Sequence, residues 1–237
     1  MESKFEVETP FGPVWMWGFD TGRPLLLVLS GAFAEPWVFD QLHTAIPGVD
    51  VVRAHHPTNH CPPIRPLHLG AIGAAYAMAL RTRFPDRPAV VFGNSTGALI
   101  ALAMRAPQAR RMVLIEPFLR TGRLWPLRLI LRRRPTEEQR LFLWNLFGLT
   151  EDRLEDRDYT HLLEGLRIPT HVLVGDEPLG EPRDIAALPS LVDEQDRQAL
   201  ASHPFVDLTV LPGGHHFAQN IDALVSTLLR ACAAVRT

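Results

Sequence analysis

The sequence feature that most constrains this chain lies in residues 89–102, which read AVVFGNSTGALIAL. A short apolar run, long enough for a buried strand, leads into the pentapeptide GNSTG, and an apolar stretch typical of a buried helix follows. A serine in G-x-S-x-G between a strand and a helix lies on a sharp turn that exposes its hydroxyl above the sheet. Glycine fits on either side of Ser95 because a side chain would clash with the neighbouring strand and helix. A serine-bearing turn without a chemical role is the alternative, and the flanking elements argue against it.

Composition bounds the classes of protein that this chain can represent. Its 237 residues suit one large domain or a domain with an insertion, and 46% hydrophobic residues are ordinary for a protein with a sizeable core. A formal net charge of −2 gives no reason to expect nucleic acid as a partner. The first residues contain no apolar signal core, and no apolar run approaches the ~18 residues of a membrane span. We therefore expect a cytoplasmic protein without a membrane partner.

The rest of the chain alternates between predicted strands and helices. An apolar run that is continuous rather than alternating, such as residues 25–29, predicts a strand buried on both faces, as in a parallel sheet. Strands and helices in alternation predict a mostly parallel sheet that helices cover on both sides. The predicted strands begin with an antiparallel hairpin and cover residues 5–8, 14–18, 25–29, 49–54, 89–92, 111–115, 168–174 and 206–211.

Residues 118–166 interrupt this alternation, because they contain no strand candidate. Thr136 and Gln139 have the spacing of a capping box, which predicts a helix start. We therefore predict a core made of residues 1–117 and 167–237, with a helical insertion between them. This insertion carries more large apolar side chains than a surface segment needs. We expect some of them to line an apolar pocket, chiefly Trp125, Trp144 and Phe147.

A proline-rich loop carries His55, His56, His60 and Cys61, residue types that could bind a metal. Their spacing fits no standard zinc motif, so we interpret the segment as a solvated loop near the rim of a pocket. Whether these four residues bind anything stays open. We expect no metal and no other cofactor.

Polar residues that could act together stand at the ends of predicted parallel strands. Ser95 ends one strand, Asp176 follows a later one and His215 follows the last. The carboxyl ends of parallel strands meet at one edge of a sheet, where ligand sites form. A serine hydroxyl becomes a good nucleophile when a histidine removes its proton and a carboxylate holds the tautomer of that histidine. These residues therefore form a candidate catalytic group.

On these residues the chain resembles the α/β-hydrolase superfamily over nearly its whole length. The resemblance rests on residues 25–33, 93–97, 169–176 and 213–217. It implies the α/β-hydrolase fold, a mostly parallel, doubly covered sheet of about eight strands. It also implies that residues 118–166 form a helical cap between the sixth and seventh strands.

The resemblance assigns roles to several positions. Ser95 would be the nucleophile, and Ala32 and Thr96 would supply the N–H groups of an oxyanion hole, with Ser30 standing where members usually carry histidine. His215 would be the general base, because the histidine of the family directly follows a glycine pair. We expect Phe33 to line the substrate pocket, and His216 would then either line it too or point away from it.

The acid is the position at which this sequence departs from the family pattern. Members often carry Gly-x-x-Asp after the seventh strand, but counting from Gly175 places Pro178 at that point. We favour Asp176, because it follows the strand at once and its short side chain suits a rigid geometry. Glu177 is an alternative, and so is Glu116, which ends the sixth strand, where some members carry their acid.

The resemblance implies a serine hydrolase that cleaves a carboxylic ester or thioester through an acyl-enzyme, similar to small esterases and type II thioesterases. Its partner would be a small molecule with an apolar acyl or alcohol part, and the protein would be a monomer or homodimer. The same motifs are compatible with two alternatives. The fold could serve a lyase or perhydrolase reaction, or it could belong to a noncatalytic hydrolase-like binding protein.

Overall fold

The computed structural model describes residues 2–56, 61–124, 135–177, 189–215 and 217–236. Within these ranges one sheet of eight strands organises the chain, in the order β1-β2-β4-β3-β5-β6-β7-β8. The strands are β1 (Ser3–Val7), β2 (Val14–Gly18), β3 (Leu25–Leu29), β4 (Asp50–Ala54), β5 (Ala89–Asn94), β6 (Ala109–Ile115), β7 (Thr170–Gly175) and β8 (Val206–Leu211).

The sheet is mostly parallel, as the alternation of strands and helices predicts. β1 pairs with β2 and β2 pairs with β4 in antiparallel fashion, whereas the neighbours from β4 to β8 are all parallel. Every residue of β3 is buried, and so is nearly every residue of β5, because both strands lie inside the sheet with helices on either face. The carboxyl ends of β3, β5, β6, β7 and β8 consequently share one edge.

Helices cover both faces of the sheet. The sheet therefore separates two apolar cores, one on each face. On one face α2 (Leu69–Arg83), α3 (Thr96–Met104) and α4 (Glu137–Phe147) share a core. On the other face α1 (Leu42–Ala45) and α6 (Ile221–Ala233) pack with Leu26, Val28 and Phe92. The chain also contains α5 (Glu194–Ala201) and short 3₁₀ segments at Pro36–Phe39, Thr160–Gly165 and Phe217–Asn220. No helix in the described ranges is long and apolar enough to cross a membrane.

The predicted insertion packs directly onto the first of these cores. The capping box is present at the start of α4, where the Gln139 N–H donates to Thr136 Oγ1 at 3.2 Å and the Thr136 N–H donates to Gln139 Oε1 at 3.0 Å. Phe142, Leu143 and Phe147 are buried in the same cluster as α2 and α3. The boundary between core and cap stays a prediction.

Candidate active site

The turn between β5 and α3 holds Ser95 in a strained conformation. Its backbone has φ 56° and ψ −119°, a region that residues other than glycine rarely adopt. A Cβ on Gly93 would lie 2.6 Å from the Cα of Ala98, and a Cβ on Gly97 would lie 2.0 Å from the carbonyl oxygen of Leu29. The close approach of helix and strands therefore requires both glycines, for the reason that the sequence predicts.

The residues expected to form an oxyanion hole lie beside this serine. Thr96 is the first residue of α3, where a backbone N–H has no partner within the helix and negative charge is favoured. Ala32 follows β3, the neighbour of β5. A Cβ on Gly31 would lie 3.3 Å from the Cβ of Ser95, so this turn approaches the serine closely. Ala32, Ser95 and Thr96 line one cavity.

Glu116, directly after β6, is a fully buried carboxylate. Each of its two oxygens has two polar groups within hydrogen-bond distance. Oε1 accepts from the Gly175 N–H at 2.8 Å and from the Ser190 hydroxyl at 2.9 Å. Oε2 accepts from the Leu191 N–H at 2.8 Å and lies 3.2 Å from Nδ1 of His215. The backbone of Glu116 has φ 52°, so this residue, like Ser95, has a positive φ.

The surroundings of Glu116 keep it ionised. Burial by itself raises the pKa of this carboxyl, but the hydrogen bond and charge of His215 and the N–H groups of Gly175 and Leu191 outweigh it. The pKa of Glu116 is therefore below its ordinary value, and the group is an anion at neutral pH. This set of contacts stabilises the folded protein above the pKa of an unfolded glutamate, and the stabilisation is lost as the pH falls through the lowered pKa.

The contact with Glu116 also defines the state of His215. An ionised carboxylate can only accept hydrogen bonds, so Nδ1 must carry the proton in this contact. In the neutral imidazole the other ring nitrogen, Nε2, is then an acceptor. His215 lines the same cavity as Ser95.

The expectation that Asp176 contacts His215 is corrected by this geometry. Asp176 Oδ1 accepts from the Gly213 N–H at 2.8 Å, and the backbone N–H of Asp176 donates to Leu211 at the end of β8. Glu177 is exposed, and its carbonyl accepts from the Ser190 N–H. β7 lies between β6 and β8, and the turn that carries His215 reaches past the end of β7 to Glu116. Asp176 therefore fastens that turn, while Glu116 contacts the imidazole.

The cavity above Ser95 has a volume of about 460 Å³ and a mostly apolar lining. Phe33 and Phe147, two of the residues expected at a substrate pocket, line this cavity. Trp144 is not among the residues that line the cavity. Its ring instead packs against Arg153 and Arg157, whose guanidinium carbons each lie 5.4 Å from the ring centroid. Trp125 and His216 fall outside the described residues. Lining residues that sequence reasoning missed include Val38, Asn94, Ile115, Phe118, Leu143, Leu191, Phe217, Ile221 and Leu224.

The histidine-rich loop also differs from its prediction. His55 and His56 are buried rather than solvated, at 4% and 3% exposure. Burial, together with the neighbouring His55, lowers the pKa of His56 to about 3, so that its ring is neutral. The Cys61 thiol donates to the His56 carbonyl at 2.9 Å. His60 lies outside the described residues.

Comparison with known proteins identifies the family of this chain. Residues 13–227 match the model of the alpha/beta hydrolase family.

Similar solved structures include an esterase of Pyrococcus furiosus, with 15% identity, a TM-score of 0.70 and coverage of 100% of this chain and 92% of that one. Carboxylesterase CesB of Bacillus subtilis has 15% identity, a TM-score of 0.70 and coverage of 97% and 90%. An esterase of Exiguobacterium antarcticum has 12% identity, a TM-score of 0.71 and coverage of 96% and 98%. A search of curated proteins gives no match. The fold, the matched family model and the strained serine turn agree, and the chain belongs to the alpha/beta hydrolase family.

Proposed function

We propose that this protein is a serine hydrolase that cleaves a carboxylic ester or thioester through an acyl-enzyme. Ser95 is the nucleophile, His215 the general base and Glu116 the acid. The observation that carries the proposal is the buried anion of Glu116, 3.2 Å from Nδ1 of a histidine that shares a cavity with Ser95. The esterases among the similar structures support the same class of reaction.

The reaction follows from the protonation states of these groups. Glu116 holds the proton of His215 on Nδ1, which leaves Nε2 to take the proton from the Ser95 hydroxyl as its oxygen attacks the acyl carbon. The backbone N–H groups of Ala32 and Thr96 stabilise the negative charge that develops on the acyl oxygen. His215 then gives its Nε2 proton to the leaving alcohol or thiol. Water, activated by the same nitrogen, hydrolyses the acyl-enzyme and restores Ser95.

The experiment that tests the proposal combines a probe with a substrate panel. A fluorophosphonate should label the protein, and peptide mass spectrometry should locate the adduct on Ser95. A panel of p-nitrophenyl esters and acyl thioesters should give equal amounts of acid and leaving group. Labelling without any hydrolysis would favour a lyase or perhydrolase, and absence of both labelling and turnover would favour a noncatalytic binding protein.

The apolar lining of the cavity predicts where chain-length preference is determined. Phe147 lines the cavity whereas Trp144, on the same helix, packs against arginines. We expect Phe147→Leu to raise kcat/KM for p-nitrophenyl octanoate relative to the butyrate by roughly tenfold, about the discrimination that one methylene gives. Trp144→Leu is the matched control and should leave this ratio unchanged. An equal shift in both variants would mean that α4 acts on the cavity only through its packing.

A further inference from the structure

A further hydroxyl belongs to the hydrogen-bonded cluster around Glu116 and takes no part in the reaction steps above. Ser190 is fully buried, and its Oγ lies 2.9 Å from Glu116 Oε1. It lies 74 positions further along the chain, between β7 and α5, so no local sequence pattern connects it with the acid.

The direction of this hydrogen bond follows from the neighbours of the hydroxyl. Ser190 has one O–H proton and two acceptors nearby, Glu116 Oε1 at 2.9 Å and the Val192 carbonyl at 3.4 Å. The shorter distance and the negative charge both favour the carboxylate. The Val192 N–H lies 3.3 Å from Oγ and donates to it. Ser190 therefore donates to Glu116 while it accepts from the backbone.

The backbone around Ser190 is held in place from two sides. The Ser190 N–H donates to the Glu177 carbonyl at 2.9 Å, just beyond the end of β7. The Arg197 guanidinium, on α5, donates to the Gly175 carbonyl at 2.6 Å and to the Val192 carbonyl at 3.3 Å. Because these contacts fix its backbone, the hydroxyl of Ser190 is aimed at Glu116 before any substrate arrives.

We propose that Ser190 is a positioning residue that keeps Oε2 of Glu116 directed at Nδ1 of His215, an inference that rests on the function proposed above. A carboxylate can rotate about the bond to its side chain, and here both oxygens are held. Oε1 is held by Gly175 and Ser190, and Oε2 by Leu191 and His215. Removing the serine hydroxyl leaves Oε1 with the Gly175 N–H and frees the carboxylate plane to turn.

The loss of this donor has two measurable consequences. The hydrogen bond between Glu116 Oε2 and His215 Nδ1 is then less well oriented. We therefore expect kcat to fall by roughly tenfold, in the range expected for a lost hydrogen bond to a charged group. KM should not change, because Ser190 is not among the described residues that line the cavity.

The test compares Ser190→Ala with Ser190→Thr, which keeps the hydroxyl, on p-nitrophenyl butyrate. The proposal predicts that Ser190→Ala lowers kcat at unchanged KM, and that Ser190→Thr keeps most of the wild-type activity. Thr170→Val is the matched control, since Thr170 is equally buried and its hydroxyl donates to the Ile168 carbonyl at the far end of β7. It should lower the melting temperature without changing kcat.

A kcat for Ser190→Ala within twofold of the wild type would overturn the positioning role. So would a loss of kcat that Ser190→Thr does not restore, which is the behaviour of a merely structural residue. If thermal unfolding shows that Ser190→Ala does not fold, Ser190→Cys fills the space with a poor donor and is judged by the same criteria. Turnover that does not depend on Ser95, checked with Ser95→Ala in the same assay, would overturn the proposed function and this inference together. Turnover that depends on Ser95 but not on Ser190 would overturn this inference alone.

Discussion

Replacing Ser95 with alanine is expected to lower kcat on p-nitrophenyl butyrate by about 10⁶-fold, as removal of the nucleophile does in a serine protease. Only one oxygen is lost, and the glycines that allow the turn remain, so the variant should fold. Activity and fluorophosphonate labelling measured on the same preparation check this expectation.

The matched control for this substitution is Ser202→Ala. Ser202 is exposed at the end of α5, where its hydroxyl donates to the Gln198 carbonyl at 2.7 Å. Its removal should leave turnover and labelling at the wild-type level. If Ser95→Ala were still fully labelled, the nucleophile would have to lie elsewhere.

Replacing Glu116 with glutamine is expected to lower kcat by about 10³–10⁴-fold, as triad-acid replacements do elsewhere. The amide of glutamine would donate towards Nδ1 of His215 and so favour the wrong tautomer of the imidazole. In that orientation its NH₂ group would also face the Leu191 N–H, which now donates to Oε2. Steady-state kinetics with a circular dichroism check of folding separates the loss of activity from a loss of structure.

Asp176→Asn is the natural comparison, because Asp176 is the acid that the sequence alone favours. Asp176 Oδ1 accepts from the Gly213 N–H, and the carbonyl oxygen of asparagine can accept the same bond. Asp176→Asn should therefore keep kcat within a few-fold of the wild type. The opposite ranking, with Asp176→Asn the more damaging change, would assign the acid to the end of β7 and refute the role of Glu116.

The fold could be predicted from the sequence because its elements depend on local patterns. Continuous apolar runs mark the buried strands, and the capping box at Thr136 and Gln139 marks the start of α4. The serine turn was predictable for the same reason, since its glycines are required by contacts with the adjacent strand and helix. Each of these signals involves residues that are close together in the chain.

The carboxylate that contacts His215 could not be predicted in this way. Its identity depends on which strand end the turn after β8 reaches, and that is decided by the sheet order and by the left-handed backbone at Glu116. Ser190 and Leu191, which help to hold the carboxylate, come from a distant segment. Trp144 shows a similar limit, because helical spacing did not reveal that Arg153 and Arg157 would lie beside its ring.

The residues with positive φ around the site make thermal stability and the proposed activity conflicting requirements. Phe33, Ser95 and Glu116 all have positive φ, between 52° and 61°, and glycine would adopt these angles without strain. Strain of this kind costs on the order of 1–3 kcal/mol per residue, a considerable share of the roughly 5–15 kcal/mol that holds a typical domain folded. Selection for heat resistance alone would therefore favour glycine at these positions. The chain that best survived heating would then be one that had lost the proposed nucleophile and the proposed acid.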